Sequence, residues 1–141
     1  MGGKSVDDIP IGLSTRFSKT VSESDVYLFA GITGDLDPNH VDEEFCRGTS
    51  LGHRVAHGAL IVGYMSAASS RILEDFDRPM VSVGYDRIRF LKPVYFGDTI
   101  TVQYVINSVD AKRERIAAKV EVKNQRDEVV CVADHIMQLV D

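Results

Sequence analysis

The chain has little cysteine, no long apolar run and no surplus of basic charge, and each shortage removes a class of function. Among its 141 residues there are two cysteines, Cys46 and Cys131, far apart and without CxxC spacing. A disulfide framework or a zinc ribbon needs more thiols in closer sets, so a reducing compartment, the cytoplasm, is expected. No uncharged apolar stretch approaches the roughly 20 residues that cross a bilayer, and no membrane association is expected. The opening MGGKSVDDIP has no apolar core and carries acids early, unlike a secretory or transit segment. Val6 stands where the myristoylation pattern has Ser or Thr. Acidic residues outnumber Lys and Arg by 21 to 16, a net charge of −5, which argues against a sequence-independent grip on nucleic-acid phosphates. Repeats, low-complexity tracts and linkers are also missing, so one domain is expected.

What is present divides into a helical first half and a strand-rich second half. Leu13 to Lys19 reads as a short strand. Ser22, with Asp25 three residues on, resembles a capping box opening a helix that stops near Gly34. Asn39 could cap a brief helix with acids in its first turn, Val41 to Glu44. The next helix, roughly Gly58 to Glu74, carries no charge before Arg71 and is expected to be buried on nearly all sides. After Val81 the period changes to two: Ile100, Val102, Tyr104 and Ile106 alternate with polar residues, as do Ile116, Ala118, Val120 and Val122. Val129 to Val140 is apolar on both faces, as suits a central strand. Phe96-Gly97-Asp98 marks a turn. A sheet of this size must cover its apolar face, and the charge-free helix is the obvious cover. The expected architecture is α+β: an antiparallel sheet wrapped around one long central helix, the hot-dog fold.

The densest chemistry lies between Phe29 and Met65. Asp35 and His40 stand on either side of a short turn containing Pro38, and His57-Gly58 opens the long helix. A carboxylate and an imidazole held near one atom form an acid/base pair with separable proton affinities. A helix that begins at glycine presents free backbone N–H groups to developing negative charge.

These segments also carry a family resemblance. Thr33-Gly34-Asp35-Leu36-Asp37-Pro38-Asn39-His40, followed by His57-Gly58, resembles the MaoC-like hydratases, including the R-specific enoyl-CoA hydratases. Arg89 to Asp98, reading RFLKPVYFGD, resembles the strand-turn-strand that follows in that family, and the likeness covers residues 12 to 140. It implies an N-terminal extension over 1–11 and a single hydratase domain over 12–141. It implies reversible addition of water to a 2-enoyl thioester, giving the (R)-3-hydroxyacyl form, on CoA or an acyl-carrier protein. By the same resemblance Asp35 and His40 are the catalytic pair, the Gly58 N–H polarises the thioester carbonyl, and Ser66 supports the catalytic hydrogen-bond network. No metal or organic cofactor is implied. One position departs: Asp37 replaces the asparagine usual before the proline, and its charge could raise the proton affinity of its neighbours.

Other readings remain open from the residues. His53 and His57 are four apart, a spacing that on a helix can bind metal, although the Glu that a zincin motif requires is missing. Arg87 and Arg89 alternate with Ile88 and Phe90 and are expected on one strand face, solvated or meeting the phosphates of a CoA carrier. Lys112, Arg113 and Arg115 read as a charged hairpin, and the cysteines as small core fillers. A hot-dog thioesterase, using a single carboxylate near a helix N-terminus, is the second enzyme reading. A non-catalytic acyl-thioester-binding module is the third. A lone domain of this type leaves an edge strand open, so a homodimer or a dimer of dimers is expected.

Overall fold

Alternation of apolar and polar residues builds the sheet, and its inward positions are nearly sealed. The computed structural model of the chain describes residues 5–141. Residues 1–4, which belong to the segment read for targeting signals and to the expected extension, lie outside the described residues. Five strands, β1 (Ser14–Thr20), β2 (Met80–Phe90), β3 (Thr99–Asp110), β4 (Arg115–Lys123) and β5 (Val129–Leu139), pair antiparallel in the order β1-β3-β4-β5-β2. The even positions read from the sequence, Ile100, Val102, Tyr104 and Ile106 on β3 and Ile116, Ala118, Val120 and Val122 on β4, are all buried. Each large aliphatic side chain so placed contributes about 1.5–3 kcal/mol. Strand β5 lies between β4 and β2, a central place as expected, but its burial alternates, with Asp134 and Gln138 on the less buried face.

The helices are α1 (Glu23–Thr33), α2 (Pro38–Val41), α3 (Glu43–Arg47) and α4 (Gly58–Ile72). Helix α1 has the expected box: the Ser22 hydroxyl accepts from Asp25 N–H, the Asp25 carboxylate accepts from Ser22 N–H, and Gly34 closes the helix at φ 82°. The region after Pro38 differs from expectation. It holds two short helices, capped by Asp37 and Asp42 instead of by Asn39, because each Asp precedes a residue whose free N–H its carboxylate can reach.

Helix α4 lies against β1 and β3. Ile61, Met65 and Ala68, spaced at helical period, enter the core. Burial on nearly all sides is not what the single chain shows: Ala59, Gly63, Ser66 and Ser70 form an exposed stripe along the opposite face. The sheet covers one side of the helix, and small residues leave little apolar area uncovered on the other. Residues 5–11 are not loose either. Ser5 caps a 3-10 turn, Val6–Asp8, and Val6 and Ile9 are buried in the core.

Strand β2 departs most from a regular pattern. Its register against β5 shifts between Ser82 and Gly84 and again between Asp86 and Arg89, with Arg87 at φ 53°. The second bulge breaks the alternation that would have set Arg87 and Arg89 on one face. Arg87 turns to Asp134 at 2.7 Å, while Arg89 donates to the Ile88 carbonyl. Phe96-Gly97-Asp98 is a turn, with Gly97 at φ 89°, and Lys112 and Arg113 lie in the β3–β4 hairpin. Beneath the sheet lies a buried histidine, His135, 1% exposed. Its Nδ1 is 2.7 Å from the Tyr104 hydroxyl and its Nε2 is 2.8 Å from Ser82 Oγ. The Tyr85 ring stacks on it at 4.0 Å. Burial pushes the imidazole pKa down to about 4. No helix among the described residues is long and apolar enough to cross a membrane.

Candidate active site

Three chain segments meet at the turn after α1, and each is fixed by local hydrogen bonding. Gly34 leaves the helix in the left-handed conformation, which a side chain would resist. The next residue, Asp35, donates its N–H to Thr33 Oγ1 at 3.2 Å. Its carboxylate accepts from Asp37 N–H at 3.4 Å, and the Asp37 carboxylate accepts from Asn39 N–H at 3.0 Å. Asp37 is therefore the cap of α2, with Pro38 pre-set at the first helical position. Helix α2 then carries His40 back toward Asp35.

The loop from Thr49 to His57 braces this arrangement. Val55 N–H donates to the Asn39 carbonyl at 2.9 Å, and His40 Nδ1 donates to the Val55 carbonyl at 2.7 Å. A carbonyl can only accept, so His40 carries its proton on Nδ1 and presents a bare Nε2. Arg54 holds the same loop from behind. It pairs with Glu23 at 2.7 Å, donates to the Tyr27 hydroxyl at 2.8 Å and lies over the Phe96 ring. Tyr27 in turn donates to the Val41 carbonyl. Glu43 accepts from Arg54 N–H, which with His53 holds its carboxyl below the usual range.

The sequence did not foretell the part played by the His57 side chain. It is 1% exposed and its ring stacks on His40 at 3.7 Å with 26° between planes. Nε2 donates to the Asp35 backbone carbonyl at 2.9 Å, so this imidazole is locked in the opposite tautomer, with Nδ1 bare. That buried Nδ1 has no hydrogen-bond partner among the described residues. Polar atoms of Asp35, His40 and His57 all lie within 4.8 Å of one another. A usable signal was present: histidine occupies the N-cap of α4, where Ser, Thr, Asp or Asn is usual. His53 is elsewhere, exposed and 3.3 Å from Glu43. The metal question therefore moves from His53 and His57 to the new trio. Its ligand types would suit zinc. The geometry suits it poorly, because imidazole lone pairs lie in the ring planes. Two stacked rings send them nearly side by side instead of converging on a tetrahedral centre.

Gly58 is the first residue of α4, and His57 makes no side-chain cap. Leu60 and Ile61 N–H return to the His57 carbonyl. Gly58 and Ala59 N–H have no acceptor among the described residues. A Cβ on Gly58 would come within 2.7–2.9 Å of the Phe90 ring, so glycine is what lets that ring lie against the helix start. Beside it is a cleft of about 410 Å³ walled by Ala59, Ile61, Phe90, Leu91 and Val130. Asp35 and His40 do not line this cleft. Ser66 lies two turns along α4, roughly 12 Å from Gly58 at 1.5 Å per residue. Among the described residues it makes no bond to Asp35 or His40, and its side chain faces the buried Tyr85 hydroxyl. The structure thus brings together Asp35, His40 and the Gly58 end of α4, adds His57, and leaves Ser66 apart within one chain.

This arrangement has relatives. The model of the MaoC like domain matches residues 9–129. The chain belongs to the MaoC-like domain family. An (R)-specific enoyl-CoA hydratase of Rhodospirillum rubrum is 37% identical over 103 residues, 73% of this chain and 69% of the relative. A 3-hydroxybutyryl-CoA dehydratase of Methylorubrum extorquens is 32% identical over 135 residues, 94% of this chain and 82% of the relative. Among solved structures, an R-hydratase of Pseudomonas aeruginosa superposes with TM-score 0.83 at 26% identity, covering 97% of this chain and 86% of that one. The MaoC-like assignment and the hot-dog architecture agree with the fold described above.

Proposed function

We propose that this MaoC-like chain is a hydro-lyase that interconverts 2-enoyl and (R)-3-hydroxyacyl thioesters, carried on CoA or on an acyl-carrier protein. The observation that carries the reading is the bare Nε2 of His40 beside the Asp35 carboxylate, at a helix start whose first N–H groups are free. Two proton acceptors at that spacing can hold one water molecule. The water oxygen bonds to the β-carbon of the enoyl group while the pair takes its proton. Charge moves through the double bond to the thioester oxygen, where Gly58 N–H stabilises it. The pair then returns the proton to the α-carbon, so one water is added and nothing else is consumed. Asp35 and His40 act as a coupled unit. Ser66 is assigned a supporting role on the family resemblance alone.

We further propose that the working form is a homodimer or a dimer of dimers. Strand β2 is a sheet edge, and Val81, Val83, Phe90 and Leu91 on or beside it are about half exposed. A second copy paired there would cover the edge and close the open side of the cleft. The cytoplasm is the proposed compartment, supported by two free, buried cysteines. Crotonyl-CoA and longer enoyl-CoAs test the activity. Loss of enoyl absorbance without release of free thiol is expected; thiol release would turn the reading to a thioesterase.

A further inference from the structure

From the contacts of His57 we infer that this residue is the positioning residue of the site, and that its Nε2–H bond to Asp35 sets the distance between the acid/base pair and the helix N-terminus. The inference rests on the hydration reading above. His57 touches all three parts at once. Its ring lies on His40, its Nε2 bonds the Asp35 carbonyl, and its backbone is the N-cap whose next N–H is that of Gly58. Phe29 closes another side of the ring at 4.7 Å.

The choice of histidine at this N-cap has two physical consequences. A Ser, Thr, Asp or Asn here would turn its oxygen onto a first-turn N–H, competing with a ligand for the end of the helix. Histidine instead spends its donor on the neighbouring turn and leaves those N–H groups unclaimed. The second consequence is tautomeric. The Val55 carbonyl fixes His40 with Nε2 bare, and the Asp35 carbonyl fixes His57 with Nδ1 bare. The two rings thus turn their carbonyl-bonded nitrogens to different partners while their faces stack. The Nδ1 of His57 is buried, with no hydrogen-bond partner among the described residues.

The test separates the bond from the ring. Glutamine places its amide nitrogen near the position of imidazole Nε2 and can still donate to Asp35; phenylalanine keeps the ring and loses the donor. His57→Gln is expected to keep kcat within about tenfold of wild type, and His57→Phe to lose at least about a hundredfold, with KM within a few-fold in both. Thermal melts of both proteins show whether the loss is one of folding. Equal kcat in the two variants, or His57→Phe near wild type, overturns the inference. A second measurement does not depend on activity: imidazole nitrogen NMR of the wild-type protein near neutral pH. His57 should be protonated on Nε2 and His40 on Nδ1; a charged His57, or one protonated on Nδ1 alone, also overturns it. Asp35→Asn serves as the control. If that variant keeps full hydration the reading of the site fails, and the NMR result alone then decides whether the bridge exists.

Discussion

Two groups of histidines in this molecule sit in opposite circumstances. His135 is sealed beneath the sheet, with both ring nitrogens matched, to Tyr104 and Ser82. His40 and His57 lie against each other at the turn after α1, and each has one nitrogen tied to a backbone carbonyl and one left bare. A fully matched buried ring is a means of closing a core. A half-matched pair, held in defined tautomers beside a carboxylate, retains capacity to take protons. Hydrogen bonding distinguishes the two groups more clearly than burial does, since His57 and His135 are equally buried at 1%.

The strongest way to break this contrast is to remove the chemical side of it. Asp35→Asn and His40→Ala are each expected to lower hydration by at least about a hundredfold, with melting temperatures nearly unchanged, because neither residue is in the core. The double variant should be little worse than either single one, as residues acting as a unit are not additive. Hydration within a few-fold of wild type in either single variant would remove that residue from the mechanism.

The structural side should answer to stability and pH. His135 is neutral in the fold, its pKa held down to about 4 from 6.5 by burial. Above pH 6.5 neither the folded nor the unfolded chain protonates it, and its contribution is complete. As pH falls from 6.5 toward 4 the unfolded chain takes the proton first, and stability drops by about 3 kcal/mol before levelling. Urea titrations across that range measure the slope. His135→Gln should flatten it while leaving kcat at neutral pH unchanged; an unaltered slope would mean that other groups govern acid unfolding.

Gly58→Ala should give an intermediate result. The added methyl meets the Phe90 ring, which is exposed enough to swing aside, so the fold should lose less than about 1 kcal/mol. Hydration should fall about tenfold through the displaced ring and the crowded N–H, and Phe90→Leu in the same chain should recover part of it. The smallest effect is expected at Asp37. Its carboxylate caps α2, and asparagine caps equally well. Asp37→Asn should leave both the pH–rate profile and the melting temperature nearly unmoved. A shift of the acidic limb to lower pH would show that Asp37 acts electrostatically on the pair.

Most of the fold could be read locally. The capping box at Ser22, the left-handed stop at Gly34 and the alternation on β3 and β4 depend on residues within a few positions of one another. The bulge at Arg87 depends on how β2 meets β5, 47 residues away from Arg87 at Asp134, and alternation alone gave no sign of it. The exposed stripe on α4 reflects how much of a helix one sheet can cover. At the candidate site, the proximity of Asp35, His40 and the Gly58 end of α4 was expected from spacing and resemblance. His57 was read for the glycine beside it, because its side-chain partners are 17 and 22 residues distant and emerge only when the loop folds back.

Cys46 gives this molecule a clock for its own motions. Its sulfur is buried under α2 and lies 3.5–3.6 Å from the carbonyls of Pro38 and Asn39, the two residues before His40. A thiol reagent can reach it only when that turn lifts. Cys131, buried in β5, instead borders the cleft beside Gly58. The two labelling rates, read in one sample, therefore time the breathing of the turn that carries His40 against that of the cleft wall.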